Sequence, residues 1–359
     1  MQRAAAASRT ATSLLDRIYT MKLKDLAAEL GLSQTTVSRA LNGYPEVNET
    51  TRQRVSEAAR RLGYSANVSA RRLATGRSSA IGVALPLQRS MHFGPHVSEF
   101  LSGISERLAQ NEIDLLVTPI ESDDEMPVFR RLAESRRVDA VIISAPTPQD
   151  PRIKGLSELG LPFILHGRTD IQVPHAWLDI DNEGAFHRAT SHLIDLGHRH
   201  IGMINGPEDQ TFAIHRMRGY RDAHTARGLT VDPQLIGGGR FTDENGFRLA
   251  QAFLERRPRP TAFLAGSMMT ALGVFRAIRS AGLELGKDVS MIAHDDVFPY
   301  LNADNMVPSM STTRSSIRDA GSRIADLLLQ MFEGKPAGSI HELWPVELVL
   351  RESTGPAPR

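Results

Sequence analysis

The chain is 359 residues long with 41% hydrophobic and 23% charged residues, which is enough for two or three folded units of ordinary globular composition. It has no cysteine, which excludes a disulfide scaffold, thiolate metal sites and a cysteine nucleophile and suits a cytoplasmic chain; no window approaches the roughly 18 apolar residues of a membrane span. The net charge of +1 hides an uneven distribution: residues 21–77 hold ten Lys/Arg against five Asp/Glu, whereas residues 78–359 hold 29 against 35, so a basic head precedes a mildly acidic body.

Residues 1–20 are alanine-rich with three arginines and lack the continuous apolar core of a secretory signal, so they are expected to be a disordered extension, with Met21 as an alternative start. Leu23, Leu26, Ala27 and Leu30 then recur at helical spacing, and Gly31 supplies the left-handed residue that ends a helix. Ser33 caps the next helix, whose buried side is Thr36, Val37, Ala40 and Leu41, while Gln34, Thr35, Ser38, Arg39 and Asn42 point outward. A small residue (Ala27), a turn residue four positions on (Gly31) and a branched apolar residue six beyond that (Val37) make a helix-turn-helix. Its second helix enters the major groove, where Gln34 can pair with adenine, Arg39 with guanine, and the Thr35 methyl can touch thymine. Ser38 and Asn42 suit phosphate contact or support of the turn. Asn48 opens a third helix, lined inside by Val55, Ala58, Ala59 and Leu62 and stopped by Gly63. A three-helix module for binding another protein is the alternative, and the positive balance argues against it.

The run Leu23-Lys-Asp-Leu-Ala through Leu32-Ser-Gln-Thr-Thr-Val-Ser-Arg-Ala-Leu-Asn42 to Val47-Asn-Glu-Thr-Thr-Arg-Gln-Arg-Val55 resembles the DNA-binding head of the lactose repressor (LacI/GalR) family. By position, Gln34, Thr35 and Arg39 match that family's base-reading residues. Ser65-Ala-Asn-Val-Ser-Ala-Arg-Arg-Leu-Ala74 resembles its hinge helix, and Ala66 stands where relatives commonly have proline. The resemblance implies that Leu73 wedges into the central minor groove while Arg71 and Arg72 meet phosphates. The expected DNA-contacting set is Ser33, Gln34, Thr35, Ser38, Arg39, Asn42, Asn48, Thr51, Ala70 and Leu73.

In the body, short apolar runs (80–85, 113–118, 140–144, 162–166, 200–205, 262–265 and 289–294) alternate with helix-length segments such as 98–110, 183–196, 216–227, 245–256, 269–281 and 317–332. That alternation means βαβ units and open parallel sheets, and so many strands favour two subdomains over one sheet. The fold class is therefore α/β, an all-α helix-turn-helix head plus a two-subdomain body, and the resemblance implies that this body is an effector domain like the periplasmic binding proteins. Such sheets bind ligands beyond their strand carboxyl ends, here Thr118, Ser144, His166 with Arg168, Asn205, Ser267, and Asp295 with Asp296. Charged, imidazole and hydroxyl groups spread over many loops suit a polyhydroxylated ligand, with Trp177 or Phe93 as a stacking face.

Asp181-Asn-Glu-Gly-Ala185, Leu196-Gly-His-Arg-His-Ile-Gly202, Arg216-Met-Arg-Gly-Tyr220 and Ile292-Ala-His-Asp-Asp296 resemble signatures of the same family's sugar-sensing domain. The resemblance makes Arg216 and Asp295 the pair that binds effector hydroxyls. Leu165-His-Gly-Arg168 is similar to regulators of α-glucoside or raffinose use, with His166 where several relatives carry aspartate. Ser267-Met268 replaces the Asn-Asp of many members, so the pocket is expected to be less polar there. The expected effector set is His166, Arg168, Arg216, Ser267 and Asp295.

The expected organisation is 1–20 extension, 21–66 head, 67–78 hinge and linker, and 79–359 effector and dimerisation domain. Its amino-proximal subdomain is set at about 79–177 and 317–340 and its partner at about 178–316 and 341–353. No cofactor or metal is expected: His187 and His192 are five apart on a helix, and His198 and His200 flank Arg199 in a turn. Gly237-Gly-Gly239 lacks the lysine of a phosphate loop. Asp295-Asp296 as a glycoside-cleaving pair is opposed by the divergent directions of adjacent strand residues. A sugar transport protein matches the body but not the head, and carries an export signal. The expected protein is thus a cytoplasmic, homodimeric, sugar-controlled repressor of carbohydrate-utilisation genes. Its partners are palindromic double-stranded operator DNA and a small carbohydrate, with no membrane association.

Overall fold

The structure is a computed structural model that describes residues 21–41, 44–64, 77–86, 94–120 and 124–358. It divides into a head, up to Arg77, and a body from Ser78 onward. The expected extension, the hinge segment with Arg71 and Arg72, and Asn42, Ala70, Leu73 and Phe93 lie outside the described residues.

In the head, α1 (Leu23–Leu30), α2 (Gln34–Leu41) and α3 (Glu49–Arg61) enclose a core of Leu26, Ala27, Leu30, Val37, Ala40, Val47, Val55, Ala58 and Ala59. Gly31 ends α1 at φ 64°, and its amide caps the helix carboxyl end as the glycine signal predicts. Arg54 Nη2 donates to the Leu30 carbonyl at 2.9 Å, tying α3 to that same end.

In the body, the first sheet contains β1 (Ala80–Pro86), β2 (Asp114–Ile120), β3 (Ala140–Ser144), β4 (Phe163–His166), β5 (Ala176–Ile180) and, late in the chain, β11 (His341–Trp344), in the order β11-β5-β4-β3-β1-β2 and parallel throughout. On one face lie α4 (Pro95–Ala109) and α11 (Ile317–Phe332), joined to Ile81, Ile142, Ile164 and Leu178 through Ile104, Ile324 and Leu328. On the other lie α5 (Met126–Glu134) and α6 (Pro151–Leu159), whose Phe129, Leu132, Ile153 and Leu156 meet Val141, Ile143 and Leu165. Alternate residues of β3 thus feed opposite cores, which is why the strand reads as an unbroken apolar run.

The second sheet orders β12 (Glu347–Val349), β10 (Ser311–Arg314), β9 (Ser290–Asp295), β8 (Ala262–Ala265), β6 (Ile201–Ile204) and β7 (Ile236–Gly237), with only β12 antiparallel. Its faces carry α7 (Asn182–Asp195) with α8 (Thr211–Thr225), and α9 (Asp243–Leu254) with α10 (Met268–Ser280).

The chain crosses between the sheets after Ile180, after Arg314 and after Trp344. This moves the expected subdomain boundaries. Position 177 falls inside β5, and 341–344 belong to the first sheet rather than the second, because β11 pairs with Trp177–Ile180. The strand escaped the sequence reading because His-Glu-Leu-Trp is a partly exposed edge with no apolar run.

Candidate functional site

In the head, the α2 side chains Gln34, Thr35 and Arg39 are exposed, on the face opposite Val37 and Ala40, and Ser38 is half-buried between them. Two members of the expected DNA-contacting set serve as helix caps. Ser33 Oγ accepts from Thr36 N at 3.0 Å, and Asn48 Oδ1 accepts from Thr51 N at 2.8 Å, with Thr51 itself half-buried. Capping aligns the free amides at the starts of α2 and α3, the arrangement that receives a phosphate.

In the body, the carboxyl ends of the two sheets meet across a polar cleft. His166, at the end of β4, stacks on Phe100 with ring centroids 4.7 Å apart and lies 6.4 Å from the His96 ring. His96, from α4, reaches across to Asp296, its Nδ1 3.4 Å from Oδ1, and His294 Nε2 lies 3.5 Å from the same oxygen. A second bridge between the subdomains joins the amide and hydroxyl of Thr211 to the Pro146 carbonyl at 2.8 and 2.7 Å.

Arg216 is the buried cation of this site. Its Nε donates to Asn182 Oδ1 and its Nη1 to the Gly266 carbonyl, both at 2.8 Å, and Phe186 and Phe212 each lie 5.0 Å from the guanidinium carbon. Nη2 has no partner among the described residues, so a five-donor group is left with donors to offer. Burial pulls the Arg216 pKa down to about 10, against the opposing pull of Asp296 and Asp179. Burial likewise raises Asp179 to about 6, though Arg168 Nε sits 2.9 Å from its Oδ2. His166 is pushed down to about 3 by burial and by His96, and is neutral at physiological pH. Burial would raise Asp296, but His96 and His294 outweigh it and hold that carboxyl below its ordinary range.

The expected effector residues divide. Arg216 and His166 face the cleft together with Asp296. Asp295 turns the other way: its Oδ1 accepts from Val297 N at 2.8 Å, and its charged neighbours are His294, Asp296 and Arg314. Ser267 is committed to capping α10, its Oγ accepting from Thr270 N and donating to Thr270 Oγ1, both at 3.1 Å. Arg168 pairs with Asp179 and also borders a separate cavity of about 390 Å³ between the start of α7 and the second half of α8. The expected stacking residue Trp177 instead lies 5.0 Å from the His341 ring on the sheet edge. The aromatic faces are Phe212 and Phe241, 5.9 Å apart, seated over Gly206 and Gly266 where any Cβ would collide with them. His96, Asp179, Phe212 and Phe241 were absent from the sequence reading, and Asn182 entered it only within Asp181-Asn-Glu-Gly-Ala185, with no role assigned. None of the first four carried a signal: Ala176-Trp-Leu-Asp-Ile180, which holds Asp179, has no apolar–polar alternation. His198 is structural: its ring nitrogens lie 2.9 Å from Thr261 Oγ1 and 3.0 Å from Ser290 Oγ.

An exposed recognition helix in a basic head, followed by a two-sheet body with a buried arginine in a polar cleft, defines a ligand-responsive DNA-binding regulator. Comparison with known proteins agrees. Residues 22–67 match the family described as bacterial regulatory proteins, lacI family, and residues 50–343 match periplasmic binding proteins and sugar binding domain of LacI family. The HTH-type transcriptional regulator AglR of Rhizobium meliloti is 48% identical over 340 residues, covering 94% of this chain and 95% of that protein. RafR of Escherichia coli, also an HTH-type transcriptional regulator, is 36% identical over 90% of this chain and 96% of its own. Among solved structures, the lac repressor dimer bound to operator and an anti-inducer superimposes with a TM-score of 0.77 at 27% identity, covering 94% of this chain and 99% of that one. A CelR–cellobiose complex superimposes at 0.68 and 28%, covering 92% and 99%.

The chain belongs to the LacI family: it is a transcriptional regulator with a helix-turn-helix head and a sugar-binding body, and not an enzyme. Among the described residues, no helix is long and apolar enough to cross a membrane.

Proposed function

We propose that this regulator is a cytoplasmic homodimer that represses carbohydrate-utilisation genes from a palindromic operator and is released by a small neutral sugar held in the body's cleft. The observation that carries the reading is Arg216, a buried guanidinium with open donors that faces Asp296 while His166 and Asp179 approach from the first subdomain. A polyhydroxylated ligand fits this set, since guanidinium, carboxylate and neutral imidazole supply donors and acceptors from both sides, and Phe212 and Phe241 offer apolar ring faces. The α-glucoside or raffinose class suggested by Leu165-His-Gly-Arg168 is the first to try.

A ligand bridging both subdomains biases their relative angle, and that bias reaches DNA through the segment that joins head to body. Emptying an operator from 99:1 to 1:99 requires a preference for the released state of about 5.5 kcal/mol. In the head, Gln34, Thr35 and Arg39 read bases, while the α2 and α3 starts at Ser33 and Asn48, with Ser38 and Thr51 beside them, face phosphates; Asn42, Ala70 and Leu73 complete the set. Footprinting on the gene's own upstream region with a panel of α-glucosides and raffinose tests DNA, palindrome and ligand together. A protected palindrome vacated by one sugar is the expected result; protection indifferent to every sugar would refute the effector assignment.

A further inference from the structure

The strongest unexplained feature lies far from the cleft, at the amino ends of the first sheet's strands. Arg130 and Arg131 on the last turns of α5, and Arg136 and Arg137 just past it, are all exposed, and none has an ion pair or hydrogen bond from its guanidinium among the described residues. Elsewhere in the body Arg107, Arg152, Arg218, Arg227, Arg276 and Arg318 are each matched to a carboxylate, and the exposed arginines without an ion pair among the described residues, such as Arg221, Arg240, Arg259 and Arg314, are scattered, whereas these four fall within eight positions. Glu112 and Asp114 stand where β2 starts, the Asp114 amide donating to the Ser79 carbonyl at 2.9 Å, and no described acid is ion-paired with these four arginines. Glu134 is a single charge against four, and the Asp139 oxygens accept from Ser78 N at 2.7 Å and Ser79 N at 2.8 Å.

Those two bonds also locate the cluster. Ser78 is where the chain coming from the head enters the body, and Arg136 and Arg137 lie two or three residues before Asp139, with Arg130 and Arg131 on the helix that leads into them. The backbone adds a second sign. Helices α1, α3, α6, α7, α8, α10 and α11 are each followed by a glycine at positive φ, whereas the left-handed residue is Glu112 after α4, at φ 53°, and Arg136 after α5, at φ 49°. An arginine there costs stability that glycine would not, and strain kept where glycine is this chain's usual solution is a pointer to function.

We propose that Arg130, Arg131, Arg136 and Arg137 form a second DNA-binding surface, in which the body grips backbone phosphates flanking the operator. The inference rests on the operator-binding reading above. Phosphates carry no sequence information, so this surface adds affinity and salt dependence without altering base preference.

The test compares the full-length protein on two duplexes, the bare operator and the operator extended by about one helical turn, roughly 10 base pairs, on each side. Affinity is measured between about 50 and 200 mM salt, the range over which counterion release is read. The wild type should show a steeper salt slope on the extended duplex. Replacing all four arginines by glutamine should abolish the difference, flattening the slope by about 0.9 for each phosphate no longer neutralised, and should leave the bare operator untouched. Replacing them by lysine should keep the slope, separating charge from packing. Arg136→Gly alone should melt higher yet bind the extended duplex more weakly. Equal slopes on both duplexes for the wild type, or an undiminished difference in the glutamine variant, overturn the proposal. Failure to prefer the bare operator over scrambled DNA is a distinct result that refutes the operator reading and this proposal with it.

Discussion

Arg39 and Asp296 show how differently a residue's role is encoded. Arg39 sits on a helix whose buried side is set by Val37 and Ala40, so its exposure follows from spacing alone. Arg39→Ala should weaken binding at one operator base pair by about 1–3 kcal/mol and relax specificity there, as competition titrations against single-base operator variants would record. An equal loss on random DNA would contradict base reading. Asp295 and Asp296 are adjacent at one strand end, and only the fold separates them, since successive side chains leave a strand in opposite directions. Asp296→Asn should therefore abolish sugar binding measured by calorimetry, while Asp295→Asn should retain it. Loss in Asp295→Asn alone would reverse the assignment made from the cleft geometry.

The helices pack in pairs through glycines. A Cβ on Gly219 of α8 would overlap the Glu183 carbonyl of α7; Gly103 of α4 stands likewise against the Arg318 carbonyl of α11, and Gly273 of α10 against that of Asp243 in α9. Gly219 appears in the sequence as part of Arg216-Met-Arg-Gly-Tyr220, where nothing shows that it meets another helix. Its consequence is functional, because close approach of α7 and α8 is what brings Asn182 Oδ1 to Arg216 Nε. Gly219→Ala should cost about 3 kcal/mol, the upper end for overpacking, and lower sugar affinity as well. Gly228→Ala, where φ is +65° but no atom stands near, should cost only about 1 kcal/mol. Denaturant titration of both variants distinguishes steric overlap from backbone conformation.

Across the whole molecule, burial lowers the pKa of His166, His192, His198, His215, His224 and His294 from the ordinary 6.5, His166 to about 3. Below pH 6.5 the unfolded chain binds protons that these six sites refuse when native, so stability declines as the pH is lowered. Asp179 and Glu125, raised by burial to about 6, and Asp295, raised in the same direction, work oppositely: the native form takes up a proton that the unfolded carboxylate does not. Six sites oppose three, and the thermal midpoint should decline steadily from pH 7 to pH 5. A midpoint that rises on acidification would show that the carboxylates dominate.

Local order carried most of what the amino-acid sequence determined by itself. The head was legible because Ala27, Gly31 and Val37 act through helix geometry within a few residues, and the central strands because burial on both faces makes 140–144 and 262–265 continuously apolar. Edge strands such as β11 and β12 were hidden, since a partly solvated strand needs no apolar run. His166, Arg216 and Asp296 were visible as separate candidates, but their arrangement in one cleft belongs to the tertiary structure. His96, His166, Asp179, Arg216 and Asp296 come from five elements spread over 200 positions, and three chain crossings bring them together. Which of two neighbouring aspartates faces a buried arginine depends on strand direction and helix approach, and neither is written in the residues themselves.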